Sequence, residues 1–197
     1  YYSSVGNEVV FPAGILQPPF FHSSFDDAIN YGGIGAVIGH EFTHGFDDQG
    51  SKYDWNGNLN NWWTDEDRAR FDSLSAKLVD QYNAVEVLPG KFINGKMTLG
   101  ENIADHGGLT LAFAALKKQM GDSPQEPIDS LTWEQRFFLG WANVWKGNST
   151  EKDILNRLII DYHSPAEYRV RVPMTNIEEF YTAFGCEKGE HEPVKIW

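Results

Sequence analysis

The sequence predicts a mainly α-helical chain with a small β element at its start, an α+β arrangement. Apolar residues recur at three- and four-residue spacing over long segments, and Thr64, Thr132 and Thr150 stand where helices of that spacing would begin. Strand-like character is confined to "YYSSVGNEVVF" at the start.

That opening reads as a short hairpin, with Tyr1 and Tyr2, a polar turn over 3–7, and a return over 8–11. "PAGILQPPFF" is proline-rich but apolar and reads as a packed loop. Residues 26–46 are helical and largely apolar, yet carry Gly32, Gly33, Gly35 and Gly39. Each glycine costs a helix about 0.8–1 kcal/mol against alanine, so such a helix makes sense if it is buried and another backbone approaches it closely. "DDQGSKYDWNGNLNNWW" is a loop turning at Asn56-Gly57. Asp54, Asn56 and Asn58 faintly resemble a calcium loop, but Leu59 stands where the glycine belongs and Asp65 replaces the closing glutamate, so a plain turn is preferred. A helix over 64–82 carries Phe71, Leu74, Leu78 and Val79 on one face. After the connection "EVLPGKFINGK", another helix runs over 98–120, and "GDSPQEPIDS" is a surface loop. Thr132 with Gln135 makes a capping box for a helix bearing Phe137, Phe138, Trp141, Val144 and Trp145. Shorter helices start at Thr150, at Ser164-Pro165 and at Asn176.

A chain of 197 residues can bury one substantial core, so residues 1–197 are read as one domain. A net charge of −12 and a pI near 4.8 argue against nucleic acid, which needs clustered Lys and Arg. No run of 18 apolar residues is available to span a membrane. Cys186 is the sole cysteine, so no disulfide can form within the chain. No basic segment leads into an apolar stretch at the start, so no signal peptide is in view. The chain lacks an initiator Met and opens on an apparent strand, as a fragment would.

"VIGHEFTHGFDDQG", residues 37–50, carries the chemistry. Residues i and i+4 of a helix share a face, so His40 and His44 can converge on one zinc ion, with Glu41 beside it as a base for zinc-bound water. Against this stands a buried helix with two unrelated histidines, but the complete HExxH pattern favours the metal. A catalytic site needs a third protein ligand. Asp47 and Gly50 stand where a metzincin would have its glycine and histidine, and Trp63 and Thr64 occupy the positions a ligand on the next helix would need. "MTLGENIADHGGL", residues 97–109, offers Glu101 as a ligand, with Asp105 one turn on to hold the second N–H of a ligating histidine. Thr98 and Glu101 also fit an ordinary capping box, and spacing alone leaves both readings open.

Together these segments resemble the neprilysin family of zinc endopeptidases, including its bacterial PepO members. The likeness rests on "YYSS…VVFPAGILQPPFF", "NYGGIGAVIGHEFTHGFDDQG", "TLGENIADHGGL", "FFLGWANVW" and "DYHSPAEYRV", nearly end to end. It implies a zincin-like catalytic domain with one Zn2+ held by His40, His44 and Glu101. Glu41 is then the general base, and Asp105 supports a ligating histidine. His163 would stabilise the oxyanion and Arg169 would grip the substrate backbone; without the family these two are an ordinary loop histidine and a helix-surface charge. Ile15, Phe20, Val37 and Trp145 match an apolar pocket on the leaving side of the cut bond, although taken alone they read as core. The implied activity is hydrolysis of short peptides. A catalytically idle member that binds peptides or host proteins is the alternative.

Family members carry an Asn-Ala just before the position of Tyr1, on an edge strand that binds substrate, and a long helical N-terminal portion. The resemblance therefore implies a C-terminal catalytic part of a longer polypeptide, whose N-terminal portion, possibly a separate chain, is a partner alongside oligopeptide substrates. Lys77, Lys146 and Val194 stand where secreted mammalian members have cysteines, which implies a bacterial, extracytoplasmic member. Asn148-Ser-Thr is a formal glycosylation sequon without expected use in such a protein.

Overall fold

The structure, a computed structural model, describes residues 1–121, 125–189 and 192–197. Strand β1 (Tyr2–Ser3) pairs antiparallel with β2 (Glu8–Val9), with Tyr2 opposite Val9, as the opening hairpin required. A 3-10 turn at Ala13–Ile15 and further turns follow; the loop expected to be packed is so only in part, with Ile15, Phe20 and Phe21 on the core while residues 12–14 and 16–18 are exposed. The glycine-bearing helix is continuous but changes pitch: α1 (Asp27–Asn30), a π turn (Tyr31–Gly35), α2 (Ala36–Thr43) and a 3-10 turn (His44–Phe46). Asp26 caps it by accepting from the Ala28 N–H.

Thr64 caps α3 (Asp65–Asn83), and the following connection, outside the one stretch with strand-like character in the sequence, is a small hairpin. Its strands β3 (Glu86–Leu88) and β4 (Lys91–Phe92) flank Pro89-Gly90, where Gly90 has φ +70°, so a turn residue and a residue free to adopt positive φ fix the bend. Helix α4 (Leu99–Met120) is followed by α5 (Trp133–Trp145), α6 (Glu151–Ile160), α7 (Ala166–Thr175) and α8 (Glu178–Phe184). The capping box of Thr132 and Gln135 forms in both directions. Helix α8 begins two residues later than Asn176, because Asn176 ends α7 and its side chain bonds Gln81 and the Val194 N–H. Of the loop expected at 121–130, residues 122–124 lie outside the described residues.

The capping box that is the alternative reading at the start of α4 does not form. Thr98 makes no side-chain cap; its hydroxyl donates to the Asn94 carbonyl and accepts from Asn102. Glu101 is thereby released from the helix end. The calcium-like loop is also a turn: the Asp54 carboxylate accepts from the Asn56 and Asn58 N–H groups and is spent on its own backbone.

Helix α4 has no solvent face in its first half, and this places the site. Leu99 and Ile103 join Phe71, Leu78, Tyr82, Val172, Val194 and Ile196 in one cluster, while Leu109, Phe113 and Leu116 join Val37, Phe137, Phe138 and Trp141 in another. Fully burying such side chains is worth about 1.5–3 kcal/mol each. Helices α2 and α4 touch backbone to backbone, since a Cβ on Gly39 would lie 2.8 Å from the Gly108 carbonyl oxygen. On the other side, a Cβ on Gly32 would fall 2.0 Å from the Phe137 oxygen. These approaches are the reason a helix with so many glycines persists here. Among the described residues no helix is long and apolar enough to cross a membrane.

Candidate metal centre

The glycine contact between α2 and α4 turns the end of one helix toward the first turns of the other. His40 and His44 stand edge to face with centroids 4.6 Å apart, and their Nε2 atoms are 3.0 Å apart. Each Nδ1 meets a carboxylate: His40 at 2.9 Å from Asp105 Oδ1, and His44 at 2.7 Å from Asp47 Oδ2. An ionised carboxylate only accepts, so each Nδ1 carries a proton and each ring presents its Nε2 to the space between the two. Two ring nitrogens 3.0 Å apart need positive charge between them, a shared proton or a metal ion.

Glu101 closes the group. Its Oε2 is 3.3 Å from His40 Nε2 and its Oε1 is 3.7 Å from His44 Nε2. Oε2 is buried and none of its neighbours meets it with hydrogen-bond geometry, a costly arrangement for an anion. One donor atom from each of His40, His44 and Glu101 lies within 4.8 Å of the others. Bonds of 2.0–2.2 Å in a tetrahedron place ligand atoms about 3.3–3.5 Å apart, and the observed separations fall around that value. The two nitrogens and one carboxylate are also the donor types zinc takes in hydrolytic sites. These residues fit a zinc ion.

The electrostatics agree. Burial alone would push the His40 pKa down, but the hydrogen bond to Asp105, the Glu101 carboxylate 3.3 Å away and the Asp105 charge outweigh it and raise it to about 9. Burial opposes the charge on Glu101, yet His40, His44 and His163 around it hold its pKa below the usual value. Burial likewise opposes ionisation of Asp105, which Arg169 and His40 overcome, lowering it to about 2. The site attracts positive charge.

Glu41, Tyr1, Tyr2, Ser4, Gln49, Tyr162 and His163 line, with the metal group, an open cleft of about 380 Å3. Of the remaining expected residues, Glu41 and His163 line the cleft, and Asp105, Arg169, Ile15, Phe20, Val37 and Trp145 are not among its lining residues. Glu41 Oε1 is 3.6 Å from the Tyr1 nitrogen, so the start of the β1 hairpin borders Glu41. His163 Nε2 is 3.3 Å from Glu101 Oε2, while its Nδ1 meets Asp161 Oδ1 at 2.8 Å. Arg169 is not on the surface of its helix; it is 7% exposed and bonds Asp105 through two N–H groups at 2.8 and 2.7 Å. Its guanidinium carbon lies 3.9 Å from the Trp145 ring centre. Ile15, Phe20, Val37 and Trp145 pack on the apolar cluster under α5 and are not among the residues lining the cleft. A larger cavity of about 690 Å3 beside α3 and α7 is lined by none of His40, His44 and Glu101. Cys186 is exposed and unpaired.

A model of the family described as Peptidase family M13 matches residues 1–194. The chain belongs to peptidase family M13. Neprilysin-1 of Caenorhabditis elegans is 47% identical over 195 residues, 96% of this chain and 26% of the relative. Endothelin-converting enzyme 1 of Mus musculus is 45% identical over 204 residues, covering all of this chain and 26% of the relative. Among solved structures, the zinc metalloprotease Zmp1 of Mycobacterium tuberculosis in complex with an inhibitor superposes with a TM-score of 0.92 at 47% identity, over 98% of this chain and 30% of that one. PepO of Lactobacillus rhamnosis gives 0.85 at 37% identity, over 98% and 29%. The chain thus spans about a quarter of the length of the curated M13 relatives it matches.

Two acidic residues beside the M13 motifs escaped sequence reasoning. Asp47 fixes the second histidine, and its other oxygen accepts from the Gln49 and Gly50 N–H groups. Asp161 fixes the ring of His163. The available signal was local: an aspartate three residues after the second histidine, and another two before His163.

Proposed function

We propose that this chain carries the catalytic centre of a zinc-dependent endopeptidase acting on short peptides. The observation that carries the reading is the convergence of His40 Nε2, His44 Nε2 and the unbonded Glu101 carboxylate at the floor of a cleft that Glu41 and His163 also line. A zinc ion held there supplies Lewis-acid polarisation of the peptide carbonyl and acidifies water. Glu41 takes a proton from the attacking water and returns it to the departing nitrogen, help typically worth ~10²–10⁴ in rate. His163, with Asp161 as its counter-charge on the Nδ1 side, holds Nε2 3.3 Å from Glu101 Oε2, close enough to the metal group to donate to the oxygen on which negative charge would develop. Asp105 and Asp47 keep both ligating rings in the Nδ1–H tautomer. Arg169, with two of its five N–H donors spent on Asp105, has donors left for a substrate carbonyl. A bulky apolar residue on the leaving side suits Trp145, on whose ring the Arg169 guanidinium lies, and the apolar cluster it shares with Ile15, Phe20 and Val37.

The test uses the complete protein, a quenched hydrophobic peptide and metal analysis. Cleavage is expected to be abolished by a zinc chelator and restored by zinc. Glu41→Gln is expected to keep stoichiometric zinc and lose activity. Cleavage surviving in zinc-loaded Glu41→Gln would refute the base assignment. Absence of cleavage by the zinc-loaded wild type would favour a protein that only binds peptides.

A further inference from the structure

His163 sits on the short connection between α6 and α7, and its approach to α4, with Nε2 3.3 Å from Glu101 Oε2, lacks hydrogen-bond geometry and does not by itself hold the loop there. Its bonds to Asp161, through Nδ1 and the backbone N–H, are internal to that connection. So is the stacking of Tyr162 on its ring, at 4.5 Å and 33°. These fix the ring relative to the loop, not the loop relative to the metal-binding helix. Among the described residues, one hydrogen bond joins residues 161–164 to α4: the Ser164 hydroxyl donates to Asn102 Oδ1 at 2.7 Å. Ser164 follows His163 and Asn102 follows Glu101, so the bond links the neighbours of the two groups whose separation matters.

The link is buried and its direction is determined. Asn102 is 1% exposed and Ser164 is 3% exposed. The Thr98 hydroxyl gives its one hydrogen to the Asn94 carbonyl at 3.1 Å, so toward Asn102 it can only accept. The Asn102 amide must therefore turn its NH2 to Thr98, at 2.8 Å, and its oxygen to Ser164. Reversing the amide would need a second hydrogen on Thr98 or an unsatisfied buried donor. The relay Asn94–Thr98–Asn102–Ser164 thus has a single arrangement, and its last member ends on the catalytic loop. An apolar pair of the same shape would fill the space equally well, but would not fix the loop's position to a few tenths of an ångström.

We propose that Asn102 and Ser164 are positioning residues: their hydrogen bond clamps the 161–164 loop to α4 and so sets His163 at working distance from the metal-binding floor. The inference rests on the role given to His163 above. A misplacement near 1 Å at a catalytic group can cost on the order of 10²-fold, and a loop released at one end permits that.

Ser164→Ala in the complete zinc-loaded protein is expected to lower kcat about 10–100-fold, with KM and zinc stoichiometry within about twofold of wild type. Ser164→Thr keeps the hydroxyl and recovers most of the loss. The Ser164→Ala effect vanishes in a His163→Ala background, because the clamp acts only through that ring. An effect of equal size with and without His163, or full kcat in folded Ser164→Ala, overturns the proposal. If Ser164→Ala fails to fold, Ser164→Cys, a weak donor of similar size, carries the same expectations. A second readout does not depend on turnover: the His163 imidazole NMR signals are sharp in wild type and Ser164→Thr and broadened or split in Ser164→Ala. If wild type cleaves nothing, the proposed reaction fails on its own, and unchanged His163 signals in Ser164→Ala would sink the clamp separately.

Discussion

Replacing Asp105 with asparagine tests the centre most sharply, because one carboxylate serves two masters. Asp105 is fully buried, accepts from His40 Nδ1 at 2.9 Å, and receives Arg169 at 2.8 and 2.7 Å. Its pKa, near 3.8 in an unfolded chain, is about 2 here, and that preference for the charged form is worth roughly 2–3 kcal/mol at neutral pH. The sign is that of a depressed carboxylate: the contribution is complete above pH about 4 and is lost as pH falls toward about 2. The asparagine also leaves buried Arg169 with Glu101 Oε2, at 3.7 Å, as its other acidic neighbour. Removing one partner of a buried pair costs about 3–5 kcal/mol. The asparagine NH2 would further face either the His40 N–H or the guanidinium, donor against donor. Urea unfolding of the metal-free protein at neutral pH is therefore expected to show a loss of about 3–5 kcal/mol. Competition with a chelator is expected to show zinc affinity reduced ~10–100-fold. A variant within about 1 kcal/mol of wild type, holding zinc as tightly, would refute the claim that this carboxylate orients His40 and compensates Arg169.

Asp47→Ala removes the acceptor of the His44 Nδ1–H without touching Arg169, so zinc affinity should drop ~10–100-fold with a smaller loss of stability; unchanged affinity by chelator competition would refute its role. Gly39→Ala places a Cβ 2.8 Å from the Gly108 oxygen, where only backbone movement can make room; it should cost at least about 1–3 kcal/mol and, by parting α2 from α4, weaken zinc binding measured by titration. Burial pushes His106 down to about 4, only partly offset by its hydrogen bond to the Asn176 backbone. Below about pH 6.5 the unfolded chain gains a proton the folded one refuses, so up to about 3 kcal/mol of stability is lost as pH falls toward 4. His106→Asn should flatten that slope in urea midpoints measured between those pH values.

What the sequence revealed tracks how local the determinant is. His40, Glu41 and His44 lie within one helical turn, so their geometry follows from the helix period alone, and the structure places them as the period requires. The caps at Thr64, Thr132 and Thr150 are equally local and form as written. Glu101 was different: spacing could not choose between a capping box and a ligand, since both use the first turn of a helix. The choice is made 62 residues away, where Ser164 takes the Asn102 oxygen and the relay claims the Thr98 hydroxyl that a cap would use. Arg169 misled for the same reason. On α7 alone it reads as a surface charge, but Asp105, 64 residues earlier, draws it inside. Its burial is affordable only because that carboxylate is there, and the carboxylate stays ionised only because Arg169 and His40 are there. Such mutual dependence has no signature in either segment by itself. It arises once Gly39 and Gly108 allow two backbones to meet, and the glycines that looked like weaknesses in a helix are what make the centre possible.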